Sequence, residues 1–151
     1  MTREPGTYAL ILKATTRARI RVGRLGDLQI EPGFYVYVGS AFGPGGLAAR
    51  VGRHALKSKR CHWHIDYLRA HCSLVEVWFT KARHPLEHTW AAALATMPGA
   101  QMPKPGFGSS DCDCDTHLIR FVRQPEPLTF RHRLGPGHGA SVIEVVEVPL
   151  R

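Results

Sequence analysis

The stretch GFYVYVGSAFGPGGLAARVGRH, residues 33–54, constrains the chain more than any other. Its first third is β-branched and aromatic and reads as a strand over 34–40. Its middle, GSAFGPGG, is too glycine-rich for regular structure. Its end reads as a helix, with Leu47, Val51 and Ala55 on one face at four-residue spacing. Arg50, His54 and Lys57 run along the neighbouring face, because side chains three and four residues apart are adjacent on a helix. Gly52 costs that helix roughly 1 kcal/mol relative to alanine, which points to close packing there. A strand, a flexible turn and a basic helix in sequence is a unit suited to gripping phosphate.

The flanking segments supply the rest of a sheet. GTYALILKA (6–14) reads as a strand, and ARIRV (18–22) alternates with period two, its arginines on one face. With 34–40 these make an antiparallel meander. HWHIDYLRAH (62–71) reads as a short helix and SLVEVWFTKA (73–82) as a strand. HPLEHTWAAALATM (84–97) is the clearest helix, with Pro85 in its first turn and Gly99 at its end. The Pro- and Gly-rich loop after it leads to a strand, HLIRFVR (117–123). The remainder begins like a linker and ends in the β-prone SVIEVVEV. The order implies a single α/β domain with a small, mostly antiparallel central sheet flanked by helices. Residues 1–124 form its body, and residues 125–151 are an extension whose strand packs on the same domain.

With 151 residues the chain can bury one core. No apolar run approaches the ~20 residues of a membrane span, and the opening MTREPG is no signal peptide, so a cytoplasmic protein without a membrane partner is expected. Four cysteines in that compartment read as thiols or metal ligands rather than a disulfide frame. The formal charge of +8 fits a polyanionic partner, nucleic acid first. The basic residues cluster: Arg17, Arg19, Arg21 and Arg24 form one group, and Arg50, Arg53, His54, Lys57, Lys59 and Arg60 a second.

GTY at 6–8 and YVG at 37–39, on neighbouring strands, resemble the paired motifs that name the GIY-YIG nuclease superfamily. Leu47, Arg50 and His54 follow in that family's register on the first helix, and Glu87 is available as the acidic residue of a later helix. YVGSAFGPGGLAARVGRH, HWHIDYL and GFGSSDCDCDTHL are similar to one branch of the superfamily, whose members occur alone or fused to DNA-repair glycosylases. The resemblance covers roughly residues 6–122. It departs from the pattern at Thr7, where isoleucine is usual, and in the long insertion ARIRVGRLGDLQIEPG, which should extend the meander while leaving the two tyrosines on adjacent strands.

The resemblance implies an endonuclease that uses one Mg²⁺ or Mn²⁺ to hydrolyse DNA phosphodiester bonds in repair or processing, with a repair glycosylase as a further partner. Hydrolysis needs a base for water and positive charge for the phosphorane. Glu87 would hold the ion, Arg50 would offer its fork of donors to the phosphate, and Tyr37 would position phosphate or water. Tyr8 or His54 would take the proton, Tyr8 being the family's choice. Ser40 in the glycine-rich turn, with Arg19, Arg21, Arg53, Lys57, Lys59 and Arg60, would line a DNA groove. The alternatives are a non-catalytic nucleic-acid-binding module of a repair assembly, and a small-molecule phosphoryl-transfer enzyme built on the turn. That turn lacks the Lys-Ser/Thr of a nucleotide P-loop.

Two motifs stand apart. His62, His64 and Asp66 do not share a helical face, so HWHIDYL reads as structural or DNA-facing rather than metal-binding. Cys112, Cys114 and His117 in CDCDTH offer a structural zinc set, with Cys61 or Cys72 as a fourth ligand, or else are small buried residues that lock the GFGSSDC loop.

Overall fold

The computed structural model describes residues 1–56, 59–109, 114–136 and 143–148. Strand β1 (Thr7–Ala14) lies at the centre of a five-stranded sheet. β4 (Gly33–Ser40) flanks it on one side and β5 (Ser73–Thr80) on the other. β6 (Leu118–Phe121) and β7 (Glu144–Glu147) complete the order β6-β4-β1-β5-β7, every pair antiparallel. Strand alternation then divides the apolar residues into two cores. Tyr8, Leu10, Leu12, Tyr35, Tyr37 and Phe79 face one side, and Ala9, Ile11, Val36, Val38 and Trp78 the other. A strand buried on both faces reads as an unbroken apolar run, which is why ALIL in β1 does not alternate.

On the first side, the sheet packs against helices α1 (Gly46–Ala55) and α2 (His64–Arg69) through Leu47, Val51, Ile65 and Leu68. On the second lie α3 (Glu87–Ala95) and α4 (Pro127–Leu134), where Phe130 stacks on Trp78 and meets Trp90 edge-on. Among the described residues no helix is long and apolar enough to cross a membrane.

The insertion after β1 does not extend the meander. β2 (Ala18–Arg21) and β3 (Asp27–Ile30) pair only with each other, as a separate two-stranded ribbon. Its Val22, Leu28 and Ile30 are buried in the first core, so the ribbon packs on the domain instead of adding strands to the sheet. β1 and β4 thereby remain neighbours. On α1 the buried position one turn after Val51 is His54, while Ala55 is exposed. Gly52 has open space where a side chain would go, so close packing does not explain it. α3 starts at Glu87, leaving Pro85 before the helix. α4 occupies what the sequence suggests is a linker.

Candidate active site

β1 and β4 are registered so that Tyr8 opposes Gly39 and Leu10 opposes Tyr37, which puts both phenols on the α1 side of the sheet. The Tyr8 ring lies across β4: a Cβ on Gly39 would fall 2.3 Å from its hydroxyl oxygen, so the glycine of YVG makes room for that phenol. The Tyr8 hydroxyl then meets His54 Nε2 at 2.8 Å, a buried hydrogen bond between strand and helix. Tyr37 is edge-on to both His54 and Phe107.

Burial governs the protonation of all three. It holds the Tyr8 hydroxyl well above the ordinary phenol value, and Tyr37 adds to this while the Arg50 guanidinium works against it. Burial likewise raises Tyr37, with Glu87 contributing. His54 is driven down to about 3 by burial; the attraction of Asp66 is outweighed, and Lys59, Arg53 and Arg50 push the same way as burial. Its imidazole is therefore neutral at pH 7.

Arg50 and Arg53 both carry their guanidinium groups over the Trp63 ring, 4.5 and 4.3 Å from its centroid. Arg53 also donates two hydrogen bonds of 2.8 Å to the buried Asp66 carboxylate, which accepts the His62 and Trp63 backbone N–H groups as well. Burial alone would raise that carboxyl, but these donors hold it at about 2. The far end of α1 is fixed by Arg69, whose guanidinium donates to the carbonyls of His54, Ala55 and Cys72.

Glu87 reaches the same place from α3. Ser40 donates to its Oε2 at 3.2 Å, and its Oε1 lies 3.3 Å from His117 Nδ1. Tyr8, Tyr37, Ser40, Arg50 and Glu87 line one cleft of about 340 Å³, closed by His62, Trp63, His64, His88 and His117. Gly108 donates its N–H to His64 Nδ1, so the cleft-side imidazole of His64 is an N–H donor at its other nitrogen.

A family model described as domain of unknown function DUF123 matches residues 7–136. The chain belongs to the DUF123 family. No curated protein and no solved structure matches it. The DUF123 match begins with the strand that carries Tyr8 and runs past α4, leaving β7 outside.

Within the DUF123 domain the remaining sequence candidates are dispersed. Arg19 and Arg21 are exposed on β2, and Arg60 is exposed beyond α1. Lys59 is half-buried, its amine bonded to the Leu56 carbonyl, and Arg53 is committed to Asp66 and Trp63. Lys57 and Cys112 lie outside the described residues. The glycine-rich turn has little to offer a phosphate at the start of α1: the N–H groups of Gly46, Leu47, Ala48 and Ala49 donate to the carbonyls of Gly43, Glu4, Thr2 and Gly45. Phe107, fully buried beside Tyr37 and His64, docks the GFG turn on the cleft. Trp63 and His64 belong to a motif conspicuous for its aromatic and histidine density, whereas His88 carries no signal of its own in the sequence.

Proposed function

We propose that this DUF123 domain is a divalent-metal-dependent endonuclease of the GIY-YIG type, hydrolysing DNA phosphodiester bonds in repair or processing. One observation carries the reading: Tyr8 and Tyr37 on neighbouring strands, Arg50 from α1 and Glu87 from α3 face a single polar cleft, with His54 bonded to Tyr8 behind it. Arg50 supplies a cationic fork for a phosphate oxygen whose charge grows in the transition state. Glu87 suits a hard cation, because it is a carboxylate oriented by Ser40 and open to the cleft, and such ions complete their shell with water. The ion, when bound, supplies Lewis-acid stabilisation of phosphate charge.

Tyr8 is the better placed of the two as a base, because it lines the cleft and His54 does not. His54, held near 3, takes up a proton only at large cost, but as a neutral ring it can donate its Nε2–H to the Tyr8 oxygen. Arg50 lowers the same hydroxyl electrostatically. Burial opposes ionisation of Tyr8 as it does that of Tyr37, so the phenolate depends on Arg50, on the His54 bond and on the charge that an ion at Glu87 would supply; formed there, it faces the cleft and accepts the proton of the attacking water. Tyr37, held protonated by burial, keeps its hydroxyl as a donor to phosphate or water.

A panel of labelled single-stranded, flap, branched and nicked DNAs with Mg²⁺ or Mn²⁺ tests this. Wild type should cut at least one of them only with metal. Arg50→Ala, Glu87→Ala and Tyr8→Phe should each lower the rate at saturating DNA by about 100-fold or more with the fold retained. Full activity in any of them overturns its assigned role. Tight binding with no cutting of any substrate would instead mark a binding module of a repair assembly.

A further inference from the structure

We propose that His88, Cys114 and His117 bind one zinc-class transition-metal ion in the wall of the cleft. Their ligand atoms all lie within 4.8 Å of one another. Donors bound to one tetrahedral zinc stand about 3.5 Å apart, so small side-chain rotations close the set. Two imidazoles and a thiolate form a borderline-soft N₂S set, which favours zinc and its neighbours over Mg²⁺ or Mn²⁺. This site is therefore chemically distinct from the oxygen-donor position at Glu87, and it stands whether or not the domain cuts DNA.

The surroundings are those of a metal-binding histidine. His117 is buried and its backbone is clamped on both sides, its N–H donating to Phe107 O at 2.8 Å and its carbonyl accepting from Val38 N–H at 3.0 Å. Its Nδ1 lies 3.3 Å from Glu87 Oε1, so a small ring rotation would make the carboxylate–imidazole pairing that orients metal-bound histidines. His88 follows Glu87 on α3, its ring 5.7 Å from that of His117. Cys114 is three residues before His117 in a loop tied down by Gly106 N–H donating to Asp115 O. Binding would release the Cys114 thiol proton and join this loop to α3. His88 and His117 line the cleft, and His88 and Cys114 line a second pocket of about 240 Å³, so three protein ligands would leave a fourth, exchangeable position between these openings.

The test uses the full chain, stripped of metal under reducing conditions and titrated with Zn²⁺ against a chromophoric chelator, then with Co²⁺. An equivalent of zinc should bind, and cobalt should develop a thiolate charge-transfer band with tetrahedral visible absorption. Cys114→Ser should abolish the charge-transfer band, and Cys114→Ser and His88→Ala should each weaken zinc binding by about 100-fold. His88 is exposed, so its variant should fold, as circular dichroism will check. Failure of the wild-type chain to bind zinc overturns the proposal. So does a charge-transfer band that survives in Cys114→Ser, which would place the ion on other thiols.

Discussion

At the Tyr8–His54 contact a fully buried imidazole is bonded to the phenol that lines the cleft, and the consequence can be read in solution. The His54 proton affinity is lowered by burial from its unfolded value of 6.5 to about 3. Between those limits the unfolded chain binds a proton at this residue and the folded chain does not, so stability falls as pH drops through the window and is fully present above it. The contribution is about 1.4 kcal/mol per pH unit. Asp66, held at about 2 against a usual 3.8, acts in a separate and lower window. In His54→Gln the plot of unfolding free energy against pH should be flatter than wild type between pH 6.5 and 4 and parallel to it above pH 7. Parallel curves throughout would mean that the ring titrates normally in the fold. The same residue shows where the sequence was legible. The family resemblance, through its spacing from Arg50, placed it at the proposed site, but its burial arises from the opposing strand, which helical periodicity does not contain.

At the level of elements, the helices that frame the cleft are held by atoms from elsewhere in the chain. The opening of α1 is capped by carbonyls of residues 2 and 4, and a Cβ on Gly46 (φ +58°) would lie 2.2 Å from the Arg3 carbonyl oxygen. The start of α3 is held by Thr7, whose hydroxyl accepts the Leu86 N–H at 3.2 Å immediately before Glu87. Thr7 is the position where the resemblance departs from isoleucine; its side chain lies on the face of β1 opposite Tyr8 and holds the start of the helix that carries the carboxylate. Thr7→Val should leave that buried N–H without a partner, lowering the unfolding free energy by about 1–3 kcal/mol and reducing the metal-dependent cleavage proposed above, while Thr7→Ser should preserve both. Equal stability of Thr7→Val and wild type in denaturant titration would remove this role. The strands β1, β4 and β5 are legible because their apolar runs are long. α4 is harder to read: it spans eight residues, and Pro127 at its start and Gly135 at its end belong to a proline-rich stretch that also suits a linker. What makes it a helix is the apolar pocket that Trp78 and Trp90 offer to Phe130, a contact far apart in sequence.

Across the whole molecule, charge and architecture act together. A chain of formal charge +8 should bind DNA with strong salt dependence, log affinity falling by about 0.9 per log unit of salt for each duplex phosphate neutralised. Arg19 and Arg21 are exposed on a ribbon packed beside α2, so reversing both to glutamate should lower affinity evenly across DNA sequences and flatten the slope by about 2. A slope unchanged in the double variant would put the ribbon outside the binding surface. The five residues proposed for catalysis come from both sides of the sheet: α1 with Arg50 rests on one core, and α3 with Glu87 on the other. That division has a consequence for inheritance. Substitutions around Trp90 should act first on the position of the carboxylate, and substitutions around Leu47 on the arginine helix. A lineage can therefore retune the span between cation and carboxylate by drifting in one core alone, and a harmful change in one layer can be suppressed by a second in the other, with no residue of the cleft itself altered.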